Sequence, residues 1–522
     1  MRVRQTALRM TRALQLDPAP SSTSRLIRRR FILESAFLVL LVAAAFVLRL
    51  WTLSQVRFWD EAVYLQNADV ICCGKTNYSE LDSRPPLLSI LFAAVFIVWH
   101  HVYAACIVTA LLNALGPLCL YGSGRMIAGP ISAAIAALLL AFTPFFVGVF
   151  PPGFISDATG NGLLSDSPAL TLIALGFWLL LRALHRQNDL RFAWAGFALA
   201  LAVLMRFASL STVGVLALLV FAADRWWRAA LACAAGLTAG IGPYLCWSRL
   251  RYGGFLHTFQ HGWTNFEGPG ESFSFYLRNF GNIFSWITLA GLALWIVRRA
   301  WEYRENRRQE NQDGTAKPGA TEHRLARHGL GKQGHRLEAF LWLWAAALLV
   351  FFSALHHKEP RYAMPVAPPL FLLAGIGLGT TVKLPGRAAR IAGTVILVGG
   401  LALTFAPDRH RFDDPFLDDE ESEEMRVSAF LNENLRSGTI LYANFNYPVF
   451  AWQTYLPVHR LPESGTALYD ALNRLPGDGI LIVYKPNDEI AEPRLEWLDR
   501  NPHFVLYREF SRIVLYRTRA VR

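Results

Sequence analysis

Two charged clusters in this sequence could do chemistry, and each directly follows an apolar segment. The first is Trp59-Asp60-Glu61, a few residues after the first hydrophobic run, and the second is His356-His357-Lys358-Glu359-Pro360-Arg361-Tyr362, after a much later one. Ionisable groups at the mouth of a membrane span usually mark a pathway, a site or a topology signal. If the two mouths meet in the fold, Asp60 could take a proton from an attacking hydroxyl, with Glu61 as its supporting acid. The alternative is a loop end with an aromatic interface belt.

The second cluster carries cations on the side of the membrane where topology does not favour positive charge. Lys358 and Arg361 therefore predict an anionic partner there, such as the phosphate of a lipid headgroup. His357, Glu359 and Tyr362 would then lie near the reacting hydroxyl or sugar. The sequence thus supplies a base in one cluster and phosphate-binding cations in the other.

Three further charges are candidates for the same site. Arg84 precedes Pro85-Pro86, and its guanidinium fork suits a phosphate, although an arginine snorkelling to the interface is the alternative. Asp166 lies just before a span and could be a second acidic site residue, with Asp157 as a competitor and a simple helix cap as an equal alternative. Arg206, between two short apolar segments, is either a loop charge or a second phosphate contact.

The composition indicates a membrane protein. Of 522 residues, 53% are hydrophobic and 17% are charged, against roughly 25% charged in soluble chains. The net charge of +12 is a topology signal rather than a nucleic-acid footprint, because the basic residues fall mainly in short loops on one side of the spans. Cys72 and Cys73 are adjacent, and we expect neither an easy disulfide nor a metal-binding spacing from them.

Twelve apolar segments could form the membrane part. They lie at 31–51, 86–99, 103–122, 131–149, 168–184, 191–205, 208–223, 229–248, 281–298, 338–355, 363–381 and 391–405. The basic loop 298–336 is predicted to be cytoplasmic, which puts 356–362 outside. Three segments then lie between the outer stretches 52–85 and 157–166. Because three spans would put these stretches on opposite sides of the membrane, one piece within 86–149 must be re-entrant or broken. The expected total is eleven or thirteen spans.

The sequence divides into three predicted parts. Residues 1–30 form a mostly disordered or surface-lying cytoplasmic tail, 31–405 form the transmembrane domain with an outer-face first loop at 52–85, and 406–522 form a soluble outer-face domain. In the last part, strand-like runs at 439–442, 479–484 and 512–516 alternate with helical patterns at 422–435, 465–474 and 489–500. This alternation predicts a small α/β unit. The fold class is therefore an α-helical polytopic membrane protein with a small C-terminal α/β domain.

These motifs, in this order and sidedness, resemble the GT-C superfamily of lipid-linked-sugar glycosyltransferases, especially the branch of protein O-mannosyltransferases and the lipid A aminoarabinose transferase. Trp59-Asp60-Glu61 is similar to the acidic motif of the family's first loop, and Arg84-Pro85-Pro86-Leu87 to its entry to the second helix. Ser165-Asp166 resembles the second acidic site. His357-Lys358-Glu359-Pro360-Arg361-Tyr362 is similar to a His-Lys-Glu-x-Arg-Phe motif of related mannosyltransferases.

The resemblance implies inverting transfer of a sugar from a polyprenyl-phosphate donor to a hydroxyl of a glycan, lipid or protein acceptor. Asp60, Glu61 and Asp166 would be catalytic; Arg84, Lys358 and Arg361 would bind the donor phosphate; His357, Glu359 and Tyr362 would contact substrate. No cofactor is required, although a divalent ion held by Asp60 and Asp166 is possible. The expected location is the inner membrane of a bacterium, with the site on the periplasmic face. A transporter or flippase is the alternative, since it also has many spans and charges at depth. A non-catalytic lipid-binding or assembly subunit is the third possibility.

Overall fold

The computed structural model describes residues 22–52, 59–147, 162–263, 270–312, 332–381, 391, 394–395, 398–400, 423–485 and 492–519. Most of these residues are helical, and a small sheet lies near the C-terminus. The predicted fold class, an α-helical polytopic membrane protein with a small C-terminal α/β domain, is confirmed.

Sixteen α-helices precede the C-terminal unit among the described residues. Their bounds are α1 Ser22–Thr52, α2 Trp59–Cys72, α3 Leu87–Phe96, α4 Val102–Ala128, α5 Pro130–Phe142, α6 Pro144–Val147, α7 Asp166–Arg186, α8 Asp189–Met205, α9 Ser209–Ala217, α10 Trp226–Tyr252, α11 His257–Trp263, α12 Phe275–Arg278, α13 Phe280–Phe284, α14 Trp286–Gln312, α15 Lys332–Ala354 and α16 Ala367–Thr381. Two 3₁₀ turns, Leu218–Ala222 and Pro360–Val366, continue α9 and lead into α16. Helix α1 begins at Ser22, so it includes the last part of the tail predicted at 1–30.

Six helical stretches among the described residues are long and apolar enough to cross a bilayer. They are Arg29–Trp51, Val102–Ala128, Asp166–Arg186, Trp226–Tyr252, Gly334–Ala354 and Pro360–Thr381. Three shorter apolar stretches accompany them, Leu87–Phe96, Pro130–Phe142 and Ser209–Ala222. A span needs about 20 apolar residues, so the protein is an integral membrane protein.

Helix α3 lies within 86–149, where the sequence predicts a re-entrant or broken piece. It has 10 residues, so it is about 15 Å long and cannot cross the hydrocarbon core. Near its start, the Ser89 hydroxyl donates to the Tyr64 carbonyl of α2 at 3.1 Å, and just beyond its end His100 contacts Asp69 of α2 at 2.7 Å. Both ends of α3 therefore lie beside α2.

The helices pack closely around several buried apolar clusters, with small residues where their backbones approach. A Cβ on Gly196 of α8 would lie 2.0 Å from the Cys233 carbonyl oxygen of α10, and one on Gly236 would lie 1.9 Å from that of Ala193. Only glycine permits this crossing, which is how helices commonly associate in membranes. One of these clusters includes Phe177, Trp344 and Phe371, all fully buried.

The C-terminal unit is a five-stranded sheet with helices between the strands. Its elements are α17 Glu423–Asn434, β1 Leu441–Ala443, α18 Tyr447–Gln453, β2 Val458–Arg460, α19 Gly465–Asn473, β3 Ile480–Tyr484, α20 Leu495–Arg500, β4 Phe504–Glu509 and β5 Ile513–Thr518. The strand order is β2-β1-β3-β5-β4; β1 runs parallel to β2 and β3, and β5 runs antiparallel to β3 and β4. The three predicted strands are β1, β3 and β5. The patterns missed β2, which has three residues, and the edge strand β4, which is mostly polar in its second half.

Adjacent cysteines end α2, and here the sequence expectation is wrong. Cys72 and Cys73 are joined in a disulfide, with sulfurs 2.20 Å apart and Cα atoms 3.8 Å apart. Most bridged pairs have a wider Cα separation, which is why the adjacent spacing predicts no easy disulfide. Among the described residues, Asp69, Cys72 and Cys73 form a group with metal-ligand spacing. The disulfide occupies both sulfurs, so no thiolate is offered to an ion.

Candidate active site

Three consecutive residues at the start of α2 contact three different parts of the protein. Trp59 packs edge-on against Tyr447 of the C-terminal sheet unit, with ring centroids 4.4 Å apart. Asp60 contacts two arginines, and Glu61 contacts a backbone amide before α7. Carboxylates in the first helical turn are favourable because the N-terminal end of a helix carries a partial positive charge. The tripeptide is therefore a junction between the first loop, the membrane helices and the C-terminal unit.

Asp60 lies between the two charged clusters of the sequence. Its Oδ1 accepts from Arg84 Nη2 at 2.8 Å and its Oδ2 from Arg361 Nη2 at 2.7 Å, while its side chain is 21% exposed. Burial alone would raise the pKa of Asp60, but the Arg84 and Arg361 guanidiniums outweigh burial and hold it below its ordinary value. The two charged clusters of the sequence therefore meet in the fold, around the ionised carboxylate of Asp60.

Glu61 points elsewhere. Its Oε1 accepts from the backbone N–H of Leu163 at 2.6 Å, and the side chain is buried. Neighbouring helical residues point about 100° apart, so adjacent carboxylates on α2 reach different partners. Glu61, predicted as a catalytic support, holds the backbone that leads into Asp166. It is placed to act on the site through that backbone.

Asp166 begins α7 and is buried. Arg206, just beyond the end of α8, pairs with Asp166 Oδ1, and Arg361 Nη1 lies 4.0 Å from Asp166 Oδ2. The Arg206 guanidinium also stacks over the Tyr362 ring, 4.9 Å from its centroid. The structure thus brings Asp166 to the same cluster as Asp60. The competing candidate Asp157 lies outside the described residues.

The segment 356–362 is organised by Glu359. This carboxylate accepts from Arg361 Nε and from the Tyr362 hydroxyl, the latter at 2.9 Å, and lies 3.1 Å from His357 Nε2. Burial opposes its charge, but Arg361 together with these hydrogen bonds holds the pKa of Glu359 well below its ordinary value. The hydrogen bond to Glu359 in turn raises the pKa of His357. Four of the five predicted residues of this segment are therefore connected to Asp60 through Arg361.

Lys358 has different surroundings. Its buried ammonium donates to the carbonyl oxygens of Glu271, at 2.7 Å, and of Leu355. This places it among backbone acceptors, whereas the third cation beside the carboxylates is Arg206. Sequence reasoning named Arg206 only as an open alternative. The available signal was a lone arginine between two short apolar segments.

Arg84 connects Asp60 to the rest of the first loop. Its Nε donates to Glu80 Oε2 at 3.0 Å, and the Tyr78 hydroxyl donates to Glu80 Oε1. One turn further along α2 from Asp60, the Tyr64 hydroxyl donates to Ser165 Oγ at 2.8 Å. Each charged group of the cluster is thus held by a partner of opposite charge or by a hydrogen bond.

The arrangement favours guanidiniums as the counter-ions of the carboxylates. Asp60 and Asp166 both lie beside Arg361, so a divalent cation between them would have to displace this arginine. A guanidinium has five N–H donors, and pairing with carboxylates leaves donors that could meet phosphate oxygens. Chemically, the cluster combines a carboxylate base with cations able to stabilise a departing anion.

Comparisons with known proteins agree with the motif-based resemblance. A family model described as dolichyl-phosphate-mannose-protein mannosyltransferase matches residues 83–247, which is less than half of the chain. A search of curated proteins finds no match.

Solved structures match over most of the chain. ArnT from Cupriavidus metallidurans bound to undecaprenyl phosphate is 14% identical with a TM-score of 0.62, covering 92% of this chain and 97% of that one. AglB, an oligosaccharyltransferase from Archaeoglobus fulgidus in complex with an inhibitory peptide and a dolichol-phosphate, is 12% identical with a TM-score of 0.55, covering 87% and 70%. The predicted GT-C type of fold is confirmed by these likenesses.

Proposed function

We propose that this chain, which has the fold of the GT-C lipid-linked glycosyltransferases, transfers a sugar from a polyprenyl-phosphate donor to an acceptor hydroxyl. The single observation that carries the proposal is Asp60, a carboxylate held between Arg84 and Arg361 where two distant segments meet. A base next to phosphate-binding cations is what such a transfer needs. The family match and the two lipid-phosphate complexes support the same class of donor.

The proposed reaction is one inverting displacement. The acceptor oxygen attacks the anomeric carbon while its proton passes to Asp60, and the bond from that carbon to the phosphate oxygen breaks. Polyprenyl phosphate leaves with the electron pair of the broken bond. Arg84, Arg361 and Arg206 would stabilise the negative charge on this phosphate, because charge-assisted hydrogen bonds to oxyanions are strong.

Donor binding would also make the Asp60 carboxylate a stronger base. A carboxylate whose pKa is held low by two arginines is a weak base. Phosphate oxygens that take up N–H donors of Arg84 and Arg361 would weaken both ion pairs and make Asp60 more basic. The base would then become effective when the donor is bound, which limits wasteful reactions in the empty site.

The remaining assignments extend the same proposal. Asp166 orients Arg206 and Arg361, and His357, Glu359 and Tyr362 shape the side of the cluster that faces the sugar. Residues 31–405 form the transmembrane transferase domain, and 406–522 a soluble domain on the same outer face as the first loop. The membrane is the inner membrane of a bacterium, with the site on the periplasmic side. Acceptors are a glycan, a lipid or a protein.

The proposal is tested with purified protein in lipid and a panel of polyprenyl-phosphate hexoses and pentoses. We expect release of polyprenyl phosphate to equal formation of a glycoside, and NMR of that glycoside to show an inverted anomeric centre. Ligand movement across the bilayer without any glycoside would instead support a transporter. Donor binding without either outcome would support an assembly subunit, and retention of configuration would remove the single displacement.

A further inference from the structure

We infer that the C-terminal α/β unit is a positioning element of the active site, because it clamps helix α2 and so sets the place of Asp60. The clamp consists of Tyr447 and the end of α18 on one side, and of Trp59 and Asn77 of the first loop on the other. The inference rests on the proposed function only where transfer is the readout. Its structural part concerns the order of α2 and can be tested without any substrate.

The first half of the clamp is aromatic. Trp59, the first residue of α2, packs edge-on against Tyr447 at 4.4 Å and against Phe445 at 6.3 Å. Tyr78 of the same loop packs on Tyr447 at 5.3 Å, and Tyr447 is fully buried. Edge-to-face pairs of this kind add to the free energy of burial. Since Asp60 directly follows Trp59, its backbone is fixed by a ring of the C-terminal unit.

The second half of the clamp is polar and centres on Asn77. Its side-chain N–H groups donate to the carbonyls of Ala451, at 2.8 Å, and Leu456, at 3.1 Å, at the end of α18. Its Oδ1 accepts from Gln66 Nε2 of α2 at 2.7 Å. One side chain therefore joins the middle of α2 to the C-terminal unit. Nearby, Lys75 Nζ donates to the Trp452 carbonyl at 2.5 Å.

A second route runs from the clamp to the arginine that pairs with Asp60. Tyr78, packed on Tyr447, donates its hydroxyl to Glu80, and Glu80 pairs with Arg84 at 3.0 Å. Arg84 in turn contacts Asp60 at 2.8 Å. The C-terminal unit is thus connected both to the base and to its guanidinium partner. A displacement of Tyr447 should therefore change the positions of both Asp60 and Arg84.

The sheet offers a matched control on its other side. Tyr516 is buried like Tyr447, donates its hydroxyl to Asp499 at 2.8 Å, and packs in a cluster that includes Leu481 and Phe504. None of the described contacts of Tyr516 involves the first loop. Loss of its ring should therefore destabilise the C-terminal unit without releasing α2.

The experiment compares full-length Tyr447→Ala with Tyr516→Ala by hydrogen exchange of backbone amides in lipid, alongside transfer kinetics. In Tyr447→Ala we expect amides of α2 to exchange about tenfold faster or more, since local protection follows local contacts, while β3 and β5 stay protected. The transfer rate constant kcat should fall at least tenfold. Tyr447→Phe should restore both, because the ring makes the contacts. Tyr516→Ala should leave α2 and kcat close to wild type.

Several results would overturn the inference. Unchanged exchange of α2 in Tyr447→Ala would do so even if the wild type transferred no sugar, a result that bears on the proposed function alone. Equal losses of α2 protection and of kcat in Tyr447→Ala and Tyr516→Ala would show that the C-terminal unit contributes only general stability. If Tyr447→Ala does not fold, Asn77→Ala breaks the same clamp from the first loop, and normal α2 exchange in that variant would equally contradict the inference.

Discussion

The first loop and the segment 356–362 each bring two like charges close together, and in each only one of the two reaches the cluster. In the first loop Asp60 contacts Arg84 and Arg361, while its neighbour Glu61 holds the Leu163 amide. In the later segment Arg361 contacts carboxylates, while Lys358 donates to backbone carbonyls. The comparison teaches that one charged side chain of each motif joins the cluster while its neighbour holds backbone groups.

The two segments differ in what holds them in place. The first loop is held from outside, by Tyr447 and the end of α18. The carbonyls of the segment 356–362 accept from residues more than 80 positions earlier: the Tyr276 hydroxyl donates to the Glu359 carbonyl at 3.1 Å, and Glu271 N–H donates to the His356 carbonyl at 3.0 Å. The segment that carries Asp60 therefore contacts the C-terminal unit, whereas the segment that carries Arg361 contacts residues 271 and 276.

Of the substitutions that test this comparison of the two segments, Arg361→Ala should have the largest effect on transfer. This change leaves Asp60, Asp166 and Glu359 without their shared cation, and breaking a buried pair costs about 3–5 kcal/mol. We expect transfer to fall by about 10²-fold or more and Tm to drop. Arg361→Lys, which keeps the charge but loses the fork, should be intermediate. Full activity in Arg361→Ala would break the proposed link between the segments.

Arg206→Ala should have the next largest effect. It removes the partner of Asp166 and a cation above the Tyr362 ring, and a lost charge-assisted contact is worth about 1.5–3 kcal/mol. Donor affinity, measured by titration with polyprenyl phosphate, should weaken by about tenfold or more. Arg182→Ala is the control, because Arg182 also stacks on a ring, that of Trp178, but belongs to the opposite end of α7. Equal affinities in the two variants would remove Arg206 from the donor site.

The pH dependence of transfer tests the arginines around Asp60. Because Arg84 and Arg361 hold its pKa below the ordinary value of about 4, the free enzyme keeps its base form to lower pH. The acid limb of kcat/KM should therefore lie below that value, and Arg84→Gln should move it upward. The same sign applies to folding: the stabilisation from Asp60 is present above its unfolded pKa and is lost as pH falls through the folded pKa. An acid limb that does not move in Arg84→Gln would contradict this electrostatic account.

The smallest effect on substrate is expected from Lys358→Met. The change removes hydrogen bonds to the Glu271 and Leu355 carbonyls, which should destabilise the fold by about 1–3 kcal/mol. Donor affinity should stay within about twofold of wild type. A large loss of donor affinity with an unchanged Tm would instead return Lys358 to the phosphate, as the sequence motif predicts.

Much of the architecture could be predicted because membrane insertion imposes a strong pattern on the sequence. Apolar runs and the sidedness of basic loops indicate the helices, and the odd count before Asp166 predicts a re-entrant or broken piece within 86–149. The same sidedness put Asp60 and Arg361 on one face. The contact between Asp60 and Arg361 follows from topology and charge, so it could be predicted from the sequence.

The different contacts of neighbouring charges within each motif could not be predicted from the sequence. Whether Glu61 faces an arginine or an amide depends on the rotation of α2. That rotation is tied to the contact of Trp59 with Tyr447, hundreds of positions away, and to that of Gln66 with Asn77 in the same loop. Lys358 and Arg361 look equivalent as charges, and only packing separates them. The Cys72–Cys73 disulfide and the clamp by the C-terminal unit likewise depend on local geometry that periodicity does not encode.

The most direct test of the account compares Asp60→Asn with Glu61→Gln, two changes that each remove one adjacent carboxylate with little change in size. Transfer from a polyprenyl-phosphate sugar is measured with purified protein in lipid, at matched amounts, together with donor binding. Asp60→Asn should bind donor but transfer at a rate lowered by roughly 10²-fold or more, since it lacks the base. Glu61→Gln keeps an oxygen for the Leu163 amide and should stay within about threefold of wild type, as one weakened hydrogen bond is worth about 1 kcal/mol. Unchanged transfer in Asp60→Asn, or an equal loss in both variants, would contradict the assignment of Asp60 as the base.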